Sequence, residues 1–376
     1  MMKICDLKLK KDEEAVFLLR SLFEQYGYSQ FKMNKFEEYE LYAGNKDFLI
    51  SDSIITFTDT NGKLMALKPD VTLSIVKNSG VESSTVEKVY YDENVYRVSK
   101  GTKSFKEIMQ AGVECIGSID SYCLYEVLML ACRSLLTLSE DAVLDLSHFG
   151  LLTSLLDSFD LSAASKKQLL IAVGEKNIHE LDRIGSEAGL INEQKRILKL
   201  LVTTYGKPCS VLPVLREALL DYGVEKEIIL LESLCSKLEE RGFGDLLRID
   251  FSVVNHTDYY NGIVFKGFLK GIPSSVLSGG QYDRLMKKMG HNAGAIGFAV
   301  YLDLLEELNT APKKFDVDAV LLYDDAFSLD AVERAVCELS SKGLTVMAQR
   351  ALPEKIRAKE IYRINESGVT LLERYA

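Results

Sequence analysis

The chain has 376 residues, of which 47% are hydrophobic and 27% charged, and its formal net charge at pH 7 is −10. This length exceeds one ordinary domain and predicts two or three, and the composition is that of a soluble globular protein. A net negative charge argues against nucleic-acid binding as the main task, because such binding depends on basic residues that displace phosphate counterions.

Targeting signals and metal-binding patterns are not expected in this chain. No apolar run reaches the roughly 18 residues of a membrane span, and the opening MMKICDLKLKKDEEA lacks the apolar core of a signal peptide. These features predict a cytoplasmic protein that does not enter a membrane. The seven cysteines lack Cys-x-x-Cys spacing, and no two of the four histidines are four residues apart, so the sequence predicts reduced thiols and no metal site.

The first third of the chain predicts a sheet with helices against it. An amphipathic helix is expected over residues 13–26, because leucine and phenylalanine recur on one side at helical spacing. Short apolar runs separated by turn signals then predict a mainly antiparallel sheet. Its expected strands are residues 54–58, 64–68, 87–91, 94–99 and 108–117. A long apolar helix over residues 121–136 is expected to cover this sheet.

The composition of the chain changes after residue 148. Residues 149–245 are leucine-rich and predict a mainly helical insertion between two parts of one core, residues 1–148 and 246–310. Within the insertion, four apolar residues at 3-4-3 spacing predict one buried helical stripe, which Gly242 ends. They are Ile228, Leu231, Cys235 and Leu238.

Residues 311–376 predict a small, truncated α/β unit. Their apolar runs alternate between strand and helix spacing, which is the pattern of a βαβ unit. The expected elements are a strand over 317–323, a helix over 328–342, a strand over 344–348 and a closing hairpin of 361–364 with 369–372.

A segment rich in tyrosine and glycine predicts the wall of a small polar pocket. Residues 255–265 read Asn-His-Thr-Asp-Tyr-Tyr-Asn-Gly-Ile-Val-Phe, and residues 278–283 read Ser-Gly-Gly-Gln-Tyr-Asp. In a strand, Asp258, Tyr260 and Gly262 share one face, and the Gly-Gly pair allows a ligand or another backbone to approach closely. The same residues also fit an ordinary hairpin with packed tyrosines, so on their own they leave both interpretations open.

Four motifs, in the right order over about 300 residues, resemble the catalytic core of histidyl-tRNA synthetases. Residues 258–265 are similar to that family's histidine-binding signature, and residues 279–283 are similar to its Gly-Gly-Arg-Tyr-Asp. Residues 56–72 resemble its strand-turn-strand ending in Arg-Pro-Glu/Asp-x-Thr, and residues 96–114 resemble the class II motif 2 hairpin. The resemblance implies an α+β fold, with a class II aminoacyl-tRNA synthetase-like antiparallel sheet flanked by helices.

The same resemblance implies a histidine-like pocket. A carboxylate suits a ligand ammonium, arginine suits a carboxylate, and glutamine or glutamate suits imidazole nitrogens. The implied pocket residues are Asp70, Arg97, Gln110, Glu114, Tyr260 and Tyr282. Gln110 and Glu114 are four apart on one expected strand and share a face, and residues 109, 111, 113 and 115 on the other face are expected in the core. The alternative is that these groups are satisfied polar residues in a cleft that binds no ligand.

Phosphate-binding positions differ from the synthetase pattern. Aminoacylation needs fixed cationic donors around the reacting phosphate. By the resemblance, Asn255 replaces the catalytic arginine of the histidine signature, Leu304 replaces the motif 3 arginine, and Ser99 replaces the motif 2 glutamate. Lys68 also stands in the Arg-Pro motif. Losing one oxyanion donor typically costs about 10²–10³-fold in rate, so we expect no catalytic residues and no enzyme activity.

A retained pocket without phosphate-binding arginines resembles the regulatory subunits of ATP phosphoribosyltransferase. That resemblance implies a homodimer through the synthetase-like core, and a short catalytic subunit as the partner that it activates. It also implies histidine as a candidate ligand, feedback by histidine in the first step of histidine biosynthesis, and no cofactor. Two alternatives stay open: a histidyl-tRNA synthetase-like ligase, and an amino-acid sensor that acts on another partner.

Overall fold

The computed structural model describes residues 10–46, 49, 54–80, 85–99, 102–253, 259–308, 314–353 and 355–375. The chain divides into two compact units, Met1–Leu308 and Asn309–Ala376. The strands of the first unit are β1 (Ser29–Gln30), β2 (Phe36–Glu38), β3 (Thr56–Thr58), β4 (Leu64–Leu67), β5 (Val86–Val98), β6 (Phe105–Gly117), β7 (Ala142–His148), β8 (Tyr205–Gly206), β9 (Leu247–Asp250), β10 (Ile263–Leu269), β11 (Leu277–Gln281) and β12 (Gly294–Tyr301).

The helices of the first unit flank its sheets. They are α1 (Lys11–Gln25), α2 (Tyr39–Ala43), α3 (Thr72–Asn78), α4 (Ser121–Leu138), α5 (Phe149–Asp157), α6 (Ala163–Gly174), α7 (Ile178–Glu187), α8 (Asn192–Thr203), α9 (Pro208–Ala218), α10 (Glu225–Glu240) and α11 (Asp283–Lys288). Leu302–Leu308 forms a 3-10 helix after β12.

A nine-stranded sheet in the order β1-β5-β6-β12-β11-β10-β7-β9-β8 organises the first unit. The six central strands from β5 to β7 are all antiparallel, whereas β1 and β9 join the sheet by parallel pairing. Helices α1 and α4 pack on one face, where Ala111, Val113 and Cys115 of β6 are buried in the core. The antiparallel sheet flanked by helices predicted from the sequence is therefore confirmed.

One strand prediction is wrong in an instructive way. Two strands were expected over 87–91 and 94–99, but β5 runs without interruption through the polar residues between them. Each of these polar side chains has a partner: Asp92 accepts hydrogen bonds from Arg20 and Gln30, and Glu93 accepts one from Lys68 Nζ at 2.5 Å. Polar residues that indicate a turn in the sequence thus continue the strand, because neighbouring elements satisfy them.

The expectation that no segment could span a membrane needs one correction. Helix α4 is long and apolar enough over 18 residues to do so by length and composition. However, 61% of that window is buried inside the unit, and the core helix of a globular protein has the same character. Asp120 starts the helix by accepting a hydrogen bond from the Cys123 amide at 2.9 Å.

Between β7 and β9 the chain is mainly helical, as predicted. Helices α5 to α10 occupy this stretch, interrupted by the two-residue strand β8. The predicted stripe of α10 is buried, and Gly242 follows the helix with a φ of +89°, which favours glycine. The helices therefore bury their leucines against the same core as the sheet.

The second unit contains β13 (Val317–Leu322), α12 (Leu329–Ser341), β14 (Val346–Gln349), β15 (Ala358–Asn365) and β16 (Gly368–Arg374). Its sheet has the order β14-β13-β15-β16, with β13 parallel to both neighbours. Strands β15 and β16 form an antiparallel hairpin. The predicted βαβ pattern and its closing hairpin are both confirmed.

Candidate amino-acid-binding site

Glu114 lies at the centre of the site, on the face of the large sheet that the helices α1 and α4 leave free. It sits near the middle of β6, opposite Val89 of β5 and Gly297 of β12. Its side chain is only 2% exposed and accepts hydrogen bonds from the Thr72 hydroxyl at 2.7 Å and the Tyr282 hydroxyl at 2.5 Å. Three separate segments thus converge on one carboxyl group.

Glycines make room for this arrangement. A Cβ atom on Gly297 would lie 1.8 Å from Oε2 of Glu114 and 2.4 Å from the carbonyl oxygen of Val113. A Cβ atom on Gly112 would lie 2.2 Å from the Phe298 carbonyl oxygen. No side chain fits at such distances, so the floor of the site requires glycine on two adjacent strands.

Burial changes the chemistry of Glu114. Loss of water raises its pKa to about 8, the nearby charge of Asp70 acts in the same direction, and the hydrogen bonds from Tyr282 and Thr72 oppose the change. At neutral pH this carboxyl group therefore carries a proton in most molecules. A carboxyl that titrates near neutrality can give a hydrogen bond to an imidazole nitrogen or accept one from it.

Asp70 and Arg97 form the charged edge of the site. Asp70 is 9% exposed and accepts a hydrogen bond from the Leu73 amide at 2.9 Å; burial raises its pKa, and the charge of Arg97 opposes the rise. Arg97 Nε donates to the carbonyl oxygen of Pro69 at 2.9 Å. A carboxylate and a guanidinium near each other suit the ammonium and carboxylate ends of an amino acid.

Gln110 provides a buried hydrogen-bond donor without a partner in the described part of the chain. Its side chain is 3% exposed, yet its Nε2 donates to no described atom. Because side chains alternate along a strand, Gln110 shares the face of Glu114, about 13 Å farther along β6. A buried amide donor that no described residue satisfies is a natural contact for a ligand.

Packed tyrosines close the site. The ring of Tyr259 lies 4.7 Å from that of Tyr260 and 5.7 Å from that of Tyr282, measured between centroids. Burial raises the pKa of all three phenols, so they stay neutral. A Cβ atom on Gly280 would lie 2.7 Å from the Tyr260 ring, which explains the Gly-Gly pair.

The expected strand over residues 258–262 is wrong for its described part. Tyr259 to Gly262 form a turn, and β10 begins at Ile263. The turn is held by the Asn261 amide, which donates to the carbonyl oxygen of Gln281 at 3.0 Å. Tyr260 therefore reaches the site by ring packing and not by strand alternation. Asp258 and Asn255 lie outside the described residues.

The structure thus connects Glu114 with Tyr282 by a hydrogen bond, and with Asp70 and Tyr260 by electrostatic proximity. Arg97 interacts with Asp70, whereas Gln110 is related to the rest only by its shared sheet face. Sequence reasoning missed Thr72 and Tyr259 as site residues. Both stand inside motifs that were identified, the first at the end of 56–72 and the second within 258–265.

The positions expected to bind phosphate have other roles. Leu304 is half-buried and packs against the main hydrophobic core. The Ser99 amide donates to the Ser104 carbonyl oxygen at 2.9 Å and closes the β5–β6 hairpin. Lys68 is fully buried, and its Nζ lies 2.5 Å from Oε2 of Glu93. Two of these side chains carry no charge, and the third has its charge neutralised by an internal pair.

Comparisons with known proteins point to one family. The model of the histidyl-tRNA synthetase family matches residues 6–305. An ATP phosphoribosyltransferase regulatory subunit from Clostridium kluyveri is 28% identical over 351 residues, covering 89% of this chain and 88% of the relative. A crystal structure from Bacillus halodurans, described as an ATP phosphoribosyltransferase regulatory subunit/histidyl-tRNA synthetase, is similar with a TM-score of 0.74 and 23% identity, covering 90% of this chain and 88% of that one.

A chain of the ATP phosphoribosyl transferase (HisG:HisZ) complex from Thermotoga maritima also has this fold. Its TM-score is 0.62 at 19% identity, and the match covers 78% of this chain and 98% of that chain. At such identities the two structural matches establish the fold: an α+β, class II synthetase-like core. The fold class expected from the sequence motifs is therefore confirmed.

Proposed function

This chain belongs to the histidyl-tRNA synthetase family, and we propose that it is a regulatory subunit of ATP phosphoribosyltransferase without catalytic activity of its own. In this role it binds the short catalytic subunit, raises its turnover and supports feedback by histidine in the first step of histidine biosynthesis. It acts in the cytoplasm as a homodimer through the synthetase-like core, without a cofactor.

The observation that carries this proposal is a contrast between two positions of the synthetase pattern. Glu114 accepts hydrogen bonds from Thr72 and Tyr282 in a buried polar site. At the motif 3 position, where a synthetase binds phosphate with arginine, Leu304 packs into the core. Leucine has no donor for a phosphate oxygen in any rotamer, and this weighs against the ligase alternative.

The partner is inferred from the relatives. Those from Alkaliphilus metalliredigens and Clostridium kluyveri are both named as regulatory subunits of ATP phosphoribosyltransferase, and the Thermotoga maritima chain is part of a complex with HisG. The match to the latter covers nearly all of that chain. A regulatory role on a catalytic partner therefore fits this chain better than an amino-acid sensor for an unrelated protein.

Complex formation provides the test. The purified chain is mixed with the short-form ATP phosphoribosyltransferase of the same organism and passed over a sizing column, and turnover is measured with and without the chain. We expect a shared peak of larger mass and a higher turnover. Two separate peaks with unchanged turnover would contradict the proposal.

Histidine binding is a distinct part of the proposal, and calorimetry tests it on the isolated chain and on the complex. Substituting Glu114→Gln keeps the size of the side chain but removes its ability to exchange a proton. We expect weaker histidine binding and a weaker histidine inhibition of the complex, while co-elution persists. If no heat is measured in either sample and the inhibition curve is unchanged, the pocket has no role in feedback.

A further inference from the structure

A second polar cluster lies on the same face of the large sheet, away from the histidine-like pocket. In the strand register, Lys266 of β10 lies opposite Asp145 of β7, which lies opposite Arg248 of β9. Ser147 is two residues beyond Asp145 and therefore shares its face. Four strand spacings separate β7 from the strand of Glu114, or about 19 Å, so one small ligand cannot occupy both places.

Two buried oxygen atoms of this cluster have no hydrogen-bond partner among the described residues. Asp145 is 7% exposed and Ser147 is 0% exposed, and the unpartnered atoms are Oδ1 of the first and Oγ of the second. Buried polar atoms are almost always paired in folded proteins, so two unsatisfied ones on adjacent positions of one face require an explanation. A bound group that donates hydrogen bonds supplies one.

The surrounding charges define what else the group must carry. Asp250 is already satisfied, since Lys176 Nζ donates to it at 2.7 Å and the Ser252 amide at 2.8 Å. Arg248 and Lys266 also lie near Asp145, and Nη1 of Arg248 donates to the carbonyl oxygens of Asp245 and Leu247 at 3.0 and 2.7 Å. These two cationic side chains favour a ligand with an anionic group, and the Asp145 oxygen without a described partner favours a donor on the same ligand.

The cluster is connected to the surface. Tyr205 of β8 lies opposite Asp250 in the sheet register and is 52% exposed. The ammonium of Lys176 lies 5.2 Å from the centre of the Tyr205 ring, and this lysine side chain is 43% exposed although it contacts the buried Asp250. A line of polar contacts thus leads from solvent to the buried carboxylates.

We propose that this cluster is a second small-ligand site, which takes α-amino or α-hydroxy carboxylates. The ammonium or hydroxyl group of the ligand donates to Oδ1 of Asp145 and lies beside Oγ of Ser147. Its carboxylate faces the cationic side chains of Lys266 and Arg248. This assignment does not depend on the proposed regulatory function, because it rests only on this cluster.

The test measures ligand-induced thermal stabilisation of the full chain, followed by calorimetry. The probes are the common L-amino acids, one at a time, and L-lactate, which replaces the ammonium of L-alanine by a hydroxyl. We expect at least one probe to bind, and its affinity to fall at least tenfold in both Asp145→Asn and Ser147→Ala. Loss of the carboxylate charge in Asp145→Asn should weaken an amino acid more than a hydroxy acid.

A matched variant in the other pocket locates the bound probe. Gln110→Leu alters the histidine-like pocket and should leave binding at the second cluster unchanged. The proposal is overturned if every probe that binds depends on Gln110 and not on Asp145 or Ser147. It is also overturned if no probe binds while both variants remain folded, because the two oxygens then hold only an ordered water molecule.

Discussion

Two regions that resemble parts of a synthetase site differ in how their side chains are held. In the candidate histidine-like pocket, Glu114 is bonded to Thr72 and Tyr282, and neighbouring glycines have no room for a side chain. At the position that the resemblance assigns to a phosphate-binding arginine, Leu304 packs against apolar core residues. A change at Glu114 breaks several contacts at once, whereas a change at position 304 can bury additional apolar surface.

If the chain is the regulatory subunit that we propose, this difference explains why the polar pocket persists while the phosphate-binding positions change. Interlocked polar groups resist substitution for reasons of stability, since each leaves its partners unpaired when it is lost. An arginine that waits for phosphate has no such partner in the free protein. Substitutions can distinguish whether Glu114 and its partners are kept for ligand binding or for stability alone.

The largest expected effect is a dependence of stability on pH. Glu114 has a pKa of about 8 in the folded protein against its ordinary value of 4.5. Its contribution to the free energy of unfolding is therefore present in full below pH 4.5. This contribution is lost as pH rises through 8, at up to about 1.4 kcal/mol per pH unit. Denaturant titrations at several pH values should show that Glu114→Gln flattens this decline. Equal slopes in both proteins would mean that Glu114 is not buried as a neutral acid.

The next effect concerns the glycine floor. Gly297→Ala places a Cβ atom against Glu114 and the backbone of Val113, so we expect a loss of about 1–3 kcal/mol in the free energy of unfolding, as for other overpacked sites, and no histidine binding. Gly80→Ala is the control, because nothing lies within 4 Å of its Cβ position and its φ is not positive. A stable Gly297→Ala that still binds histidine would show that the site is looser than described.

A smaller effect separates binding from stability. Gln110→Leu removes a buried donor without a described partner, so the free energy of unfolding should be unchanged or rise by about 1 kcal/mol. Histidine affinity should fall at the same time. The exposed Gln168→Leu serves as the surface control. An unchanged histidine affinity would exclude Gln110 from the ligand site.

Local sequence patterns predicted the regular elements well, because periodicity and turn chemistry act over a few residues. The helix over 121–136 and the stripe of α10 are examples. Local patterns failed where side chains from distant parts of the chain decide the structure. Asp92 does not end a strand because Arg20 reaches it from α1, and Tyr259 lies in the site because a turn folds it onto Tyr282.

Family motifs named candidate pocket residues, whose ligand-binding role stays a prediction, but could not show the bonds among them. The partner of Glu114, Thr72, is 42 residues away along the chain, and no spacing rule joins them. The cluster of Asp145, Ser147 and Lys266 had no sequence signal, since Lys266 lies more than 100 residues from the other two and meets them only through the register of β7 and β10. Register is a property of the whole sheet.

The central claim is that the histidine-like pocket persists while the ability to activate histidine with ATP is lost. Histidine-dependent ATP–pyrophosphate exchange tests this claim most directly. The physical reason is the absence of a phosphate-binding side chain at Leu304 and the internal pairing of Lys68 with Glu93. We expect exchange no faster than in a reaction without protein. Exchange above that background that disappears in Glu114→Gln would contradict the claim.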